Sequence, residues 1–323
     1  MDRDADLGRG AWQDTEPWLV SIVIPTKNER LDIQRTLEAC LALDYPRKEV
    51  VVVDDSDDDT PQLVAAYAGR GVRLVRQQKG ASGCCGARNQ GLLLARGEIA
   101  VLLNADAIPQ PDFLRRILRH YAEGAGYVVV HSVVKNRDTA WGRVLSAEGE
   151  SWIAGQPEME WSEGFSCRVD AARAVGGIPG DFAVPFCRDW YLGRALGRGG
   201  YRKVVDLSIT MEHVVPDTLR SFWRNQVWRG TMMAPSAYFM SHRPLPVVAL
   251  RELARAGRTL LRNFLLIPLF ARAVRLLRAS RGSAFDLPAF VSVLAIREAA
   301  LTLGSLRGLA HVVAAAARGA GNH

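Results

Sequence analysis

Carboxylates gather in two short stretches of this 323-residue sequence, "VVVDDSDDDT" at 51–60 and "LLNADAIPQPD" at 102–112. In each, an apolar run ends and acidic side chains follow: Asp54, Asp55, Asp57, Asp58 and Asp59 in the first, Asp106 in the second. Carboxylate oxygens are hard ligands for a divalent cation and strong hydrogen-bond acceptors. The same residues could also be a solvated loop, so the elements that carry them decide the matter.

Val20–Ile24, Val50–Val53, Val72–Val75 and Ile99–Leu103 read as buried strands, being short, apolar and bounded by polar, Gly or Pro residues. Helical stretches lie between them, about Leu31–Leu41, Pro61–Ala68 and Ala81–Ala95. Strand and helix alternating at this spacing predict parallel strands joined by crossovers in an open α/β sheet. Thr60 before Pro61 suits a helix start, which places the first acidic cluster in a strand-to-helix loop. Both clusters then sit at the carboxyl edge of the sheet, where such folds bind ligands. Beyond Pro109, "PDFLRRILRHYAEG" reads as a helix, "GYVVVHSVV" and "EMEWSEGFSCRV" as strands, and "CRDWYLGRALGRGG" as a helix stopped by Gly199 and Gly200.

The five cysteines, Cys40, Cys84, Cys85, Cys167 and Cys187, lack zinc-site spacing and argue against a disulfide framework. No apolar run in the first 17 residues resembles a secretory signal, so a cytoplasmic location is expected. Of the net charge of +7, residues 243–323 carry +9 and the rest −2. A near-neutral body with a basic tail points to an anionic surface as partner.

Taken in order, "SIVIPTKNE" (21–29), the acidic strand end at 51–60, "GARNQGL" (86–92), "LLNADAIPQPD" and "GGIPGDF" (176–182) resemble a family 2 glycosyltransferase, over about residues 20–232. The resemblance implies a GT-A (Rossmann-like) open mixed sheet flanked by helices, here with a C-terminal amphipathic helical appendage. It implies a nucleotide-sugar donor, UDP-linked by preference, a hydroxyl acceptor that could be a lipid-linked saccharide, and Mn²⁺ or Mg²⁺. Pro25, Thr26, Asn28 and Glu29 would border the nucleotide, and Asp55 would accept a hydrogen bond from its base. Arg88 and Asn89 fall in a stretch used near the nucleotide, with a purely structural role as the alternative.

In the motif that commonly reads Asp-Ala-Asp, this chain has Asn104-Ala105-Asp106. Asp106 keeps the metal role, and Asn104 can hydrogen-bond a ribose but brings no charge to the cation. The Glu-Asp pair that supplies the catalytic base corresponds to Arg188-Asp189, with Trp190 next. Asp189 is thus the expected base, its alternative being simple preference for a helix N-terminus. Arg188 would favour the ionised carboxylate or meet an acidic acceptor. His213 would be a further metal ligand or a structural histidine, and Arg224 and Arg229 would touch the pyrophosphate or merely face solvent. "QVWRG" (226–230) matches the Gln-x-x-Arg-Trp motif of processive members only loosely, because Trp is missing after the Arg.

The expected organisation is an N-terminal tail (1–18), a catalytic domain (19–240; nucleotide half 19–110, acceptor half 111–240) and a basic helical region (241–323). In that last region Arg251, Arg255, Arg258 and Arg262 share a helix face, Arg272, Arg275 and Arg278 continue the pattern, and Pro288–Ala317 is apolar with scattered charges. Charges interrupt every long window, so two interfacial amphipathic helices on anionic lipid are expected rather than a spanning helix. The alternative is a helical pair packed on the catalytic domain. Nucleic acid is not an expected partner, since interleaved aromatics and any known module are missing. Two other functions compete: a nucleotidyltransferase, which should carry a Gly-rich basic signature after its first strand, and a non-catalytic nucleotide-sugar binder, to which Asn104 and Arg188 lend support.

Overall fold

A computed structural model describes residues 18–78, 83–154, 159–178, 189–280 and 282–318. Eight strands form one sheet: β1 (Val20–Thr26), β2 (Lys48–Asp54), β3 (Val72–Arg76), β4 (Ile99–Leu102), β5 (Ala107–Pro109), β6 (Tyr127–Val134), β7 (Ser166–Arg168) and β8 (Lys203–His213). Their order is β3-β2-β1-β4-β7-β6-β8-β5. The four strands β3, β2, β1 and β4 run parallel, β7 is antiparallel to β4 and β6, and β5 is antiparallel to β8. This is the open mixed sheet of a GT-A fold.

Alternation along β1 covers both faces. Ile22 and Ile24 join one core cluster with α1 (Ile33–Leu41) and α4 (Phe113–Ala122). Val23 joins a second cluster with α3 (Gly83–Leu94), α6 (Val169–Ala174) and α7 (Asp189–Arg198). Burial on both faces explains the unbroken valine run of β2, since neither side of that strand meets water. Between β2 and β3 lies the short α2 (Thr60–Ala65).

Only a few residues join β4, inside the sheet, to β5 at its far edge. A fully extended residue spans at most about 3.6 Å, so the sheet must curl until that edge returns beside β4. Leu103, Asn104, Ala105 and Asp106 form this short bridge.

Some expectations need correction. Of "EMEWSEGFSCRV" only Ser166–Arg168 is strand among the described residues, while Trp161–Phe165 is irregular backbone. The Thr60 hydroxyl does not cap α2: it accepts the Glu29 backbone N–H at 3.0 Å, and Asp58 accepts the Thr60 N–H at 3.0 Å.

After α5 (Ala140–Ala154), α8 (Leu219–Thr231) and the single turn α9 (Met233–Pro235), the described chain has three long helices rather than two: α10 (Leu245–Leu265), α11 (Ile267–Ala279) and α12 (Leu287–Ala317). Leu266, with a left-handed φ of 56°, and Pro268 just inside α11 separate the first two. α12 packs on α8, and also touches α10, α11 and α5. Glycines permit this approach, since a Cβ on Gly304 would stand 2.1 Å from the Val227 carbonyl oxygen and one on Gly308 2.3 Å from that of Thr231. Residues 284–317 include a window with mean hydropathy 1.5, long and apolar enough by length and composition to cross a membrane. Arg297, Glu298 and Arg307 interrupt the segment as expected from sequence, and 39% of that window is buried inside the molecule.

Candidate functional site

The register Thr26↔Asp54 between β1 and β2 brings two loops side by side at the carboxyl edge. Side chains stitch them together: the Asn28 N–H donates to Ser56 Oγ at 2.8 Å, and the Asp57 N–H donates to Asn28 Oδ1 at 2.9 Å. Asn28 holds a left-handed φ of 60°, a conformation that asparagine tolerates better than most residues. Asp54 is fully buried and accepts from the Thr26 hydroxyl (2.8 Å), the Ser56 hydroxyl (2.6 Å) and Arg76. Asp55 points outward and pairs with Lys27 at 2.6 Å. That hydrogen bond holds the Lys27 ammonium above its ordinary pKa. Neighbours thus divide the work, with Asp54 locking the loop and Asp55 facing outward.

Beside β1, residues 104–106 of the bridge are fixed from three sides. Thr36 donates to the Ala105 carbonyl at 2.6 Å, the Asn104 N–H donates to Glu163, and Arg88 donates to Asn104 Oδ1 at 2.6 Å. Arg88 is almost fully buried and lies over the Trp161 ring, 5.0 Å from its centroid, while Trp161 stacks on Phe165 at 4.7 Å. Burial, reinforced by Asp32, pushes the Asp106 carboxyl up to about 6. Burial and then the charge of Asp106 push Glu29 up to about 7. These acids therefore share one poorly solvated region beside the edge, where a cation would relieve their repulsion.

The register Ala107↔His213 between β5 and β8 sets the residue after Asp106 opposite His213. His213 Nδ1 lies 3.0 Å from the Ser132 hydroxyl, and burial, helped by Arg229, lowers its pKa to about 4. Its imidazole is thus neutral and able to act as a ligand. His213 and Arg229 line a cavity of about 690 Å³ together with Trp161. Arg224, on another face of α8, lines a separate surface groove with Trp228 and Arg307. The two arginines expected at one pyrophosphate therefore open onto different surfaces.

Trp190 is half-buried at the start of α7, with the Arg194 guanidinium 5.8 Å from its ring centroid. Arg188 lies outside the described residues, as does the side chain of Asp189, the first residue of α7. Gly200, with φ 80°, lies just past the end of that helix as expected. Asn89 is structural in its visible contacts, for its Oδ1 accepts the Ile178 N–H at 2.7 Å. Trp161, Glu163 and Ser132 went unnoticed in the sequence, and all three lie in stretches that read as strand.

A mixed α/β sheet with buried acids beside its carboxyl edge is the geometry, and comparison with known proteins shows what the chain is similar to. Residues 21–172 match the family model described as Glycosyl transferase family 2. It is 39% identical over 142 residues to the succinoglycan biosynthesis protein ExoO of Rhizobium meliloti, aligning 43% of this chain with 40% of that protein. It is 35% identical over 139 residues to the beta-monoglucosyldiacylglycerol synthase of Synechocystis sp., 40% of this chain and 29% of that one. The chain thus spans well under half the length of these curated relatives. Its fold is similar to that of the mannosyltransferase PcManGT from Pyrobaculum calidifontis, solved with GDP-Man and Mn²⁺, with a TM-score of 0.52, 23% identity, and 93% of this chain and 75% of that chain covered.

Proposed function

We propose that the chain is an inverting hexosyltransferase that moves a sugar from a nucleotide-sugar donor to a hydroxyl acceptor in cell-envelope or polysaccharide biosynthesis. The observation that carries this reading is the convergence of Glu29, Asp55 and Asp106 from three strand ends onto one sheet edge within the family 2 region. Pro25, Thr26, Asn28, Asp55, Asn104 and Ala105 would bind the nucleotide, with Arg88 supporting Asn104 from beneath. Asp189 would take the proton from the acceptor hydroxyl, with Arg188 and Trp190 beside it.

The donor set fits a divalent metal: a buried carboxylate at Asp106, just before β5, and a neutral imidazole at His213, at the end of the paired strand β8. No group of three His, Cys, Asp or Glu side chains that could hold a metal occurs among the described residues, so donor phosphates and water would complete the shell. Bound Mn²⁺ or Mg²⁺ would neutralise charge on the departing diphosphate.

We place the boundary between catalytic and tail regions near residue 240, and infer a peripheral position at the inner membrane face. The apolar and basic surface of α10 and α11 supports that position. The test is a screen of UDP- and GDP-linked sugars with Mn²⁺ against membrane extract. Transfer is expected, and Asp189→Asn should slow it at least about 100-fold. An equally fast variant refutes the base assignment. Nucleotide binding without transfer or donor hydrolysis, across all sugars, favours the non-catalytic alternative.

A further inference from the structure

The cavity beside His213 is walled partly by helices that lie outside the family 2 region. α11 contributes Arg272 and Arg275, α12 contributes Arg297, and α8 contributes Arg229, while its acids are Glu148 and Glu150 of α5. Four arginines thus line it with two carboxylates, and a third, Glu298, reaches Arg272 at 2.6 Å from beside the cavity, which leaves the arginines in excess. Both carboxylates are already committed: Glu148 pairs with Arg272 and with Arg297 at 2.9 Å, and Glu150 lies 3.5 Å from both Arg137 and His131. Glu148 therefore fixes two guanidinium groups in place. Arg275 makes no ion pair among the described residues. Burial lowers the pKa of Arg297, and the like charges of Arg229 and Arg272 add to the effect. Excess positive charge held in a partly dry cavity is a demand for an anion.

Trp161 sets the location of that demand. It lines the cavity and carries Arg88 on its ring, and Arg88 in turn holds Asn104 at the donor edge. The cavity therefore adjoins the donor edge, and its volume is that of an ordinary small-ligand site.

We propose that this cavity is the acceptor subsite and that it takes an acceptor bearing a phosphate group, gripped by Arg272, Arg275 and Arg297. The inference rests on the glycosyltransferase reading. A phosphate offers oxygens to more than one guanidinium fork, which suits arginines converging from two helices. The phosphate could belong to a lipid carrier or to a water-soluble sugar phosphate.

The full chain, saturated with UDP or GDP and Mn²⁺ to fill the donor edge, is titrated with glucose 1-phosphate by calorimetry. In parallel it is floated with phosphatidylcholine vesicles with and without a polyprenyl phosphate. One probe should bind in a phosphate-dependent way, and Arg275→Glu should weaken it at least about tenfold. Arg275 is exposed, so a melting curve like the parent's is expected. Arg198→Gln, at the end of α7 and outside the cavity, should bind as the parent does. Binding of the soluble probe assigns a water-soluble acceptor, and binding of the vesicle-borne probe alone assigns a lipid one. If a chain that binds nucleotide binds neither probe, or Arg275→Glu binds as the parent does, the inference is overturned. A chain that binds no nucleoside diphosphate overturns the glycosyltransferase reading as well.

Discussion

Asp54 and Asp55 sit next to each other and should fail differently when altered. Asp54→Asn leaves Arg76 and two hydroxyls around a buried amide, so a loss of about 2–3 kcal/mol in chemical denaturation is expected. Asp55→Asn removes a surface pair whose side chains are 59% and 47% exposed, so stability should change by less than about 1 kcal/mol. Nucleotide affinity, measured by calorimetry, should nevertheless fall about tenfold. Equal affinity for the two proteins would remove Asp55 from the recognition role. Asn104→Asp makes the complementary test. Arg88 already donates to that side chain, so the new carboxylate would stay ionised and should raise Mn²⁺ affinity about tenfold in the presence of nucleotide. No change would place Asn104 away from the metal. That a carboxylate closes the buried run of β2 could be read from sequence, since Asp54 directly follows four valines. The commitment of Arg88 to Asn104 and Trp161 could not, since it depends on an irregular loop from another part of the sheet.

Elements with one strong local signal were legible, and those defined by distant partners were not. β1 to β4 announce themselves as apolar runs, and α4 by its amphipathic stripe. β8 passes unnoticed because its register with β6 shifts after Val130, which breaks the period-two pattern. β5 has three residues and exists only because β8 receives it. The joint between α8 and α12 gives a prediction at this scale. Gly304→Val would drive a methyl-bearing carbon into the Val227 carbonyl, so a loss of about 1–3 kcal/mol is expected in thermal melting, with faster amide exchange in α8. An unchanged melting curve would mean that α12 does not pack on α8 in solution.

At the scale of the molecule, charge and apolar surface coincide on one side. Phe264 and Ile267, 83% and 76% exposed, flank the Leu266 elbow, and Leu260, Leu261 and Phe270 extend the patch near Arg258 and Arg262. A surface of this kind suits insertion at an anionic lipid interface. Replacing Phe264 and Ile267 together by Ser should lower affinity for anionic vesicles at least about tenfold, and raised salt should weaken the parent further. Vesicle binding that survives the double change would move the contact elsewhere. The three helices also tie the two ends of the chain to one task. Residues of the proposed nucleotide edge come from the first strands, whereas the cavity gains its Arg297 wall only from α12. During synthesis the nucleotide edge can therefore be finished while the ribosome still holds the last helix, so a nascent chain should bind a fluorescent nucleotide before it can seat anything beside His213.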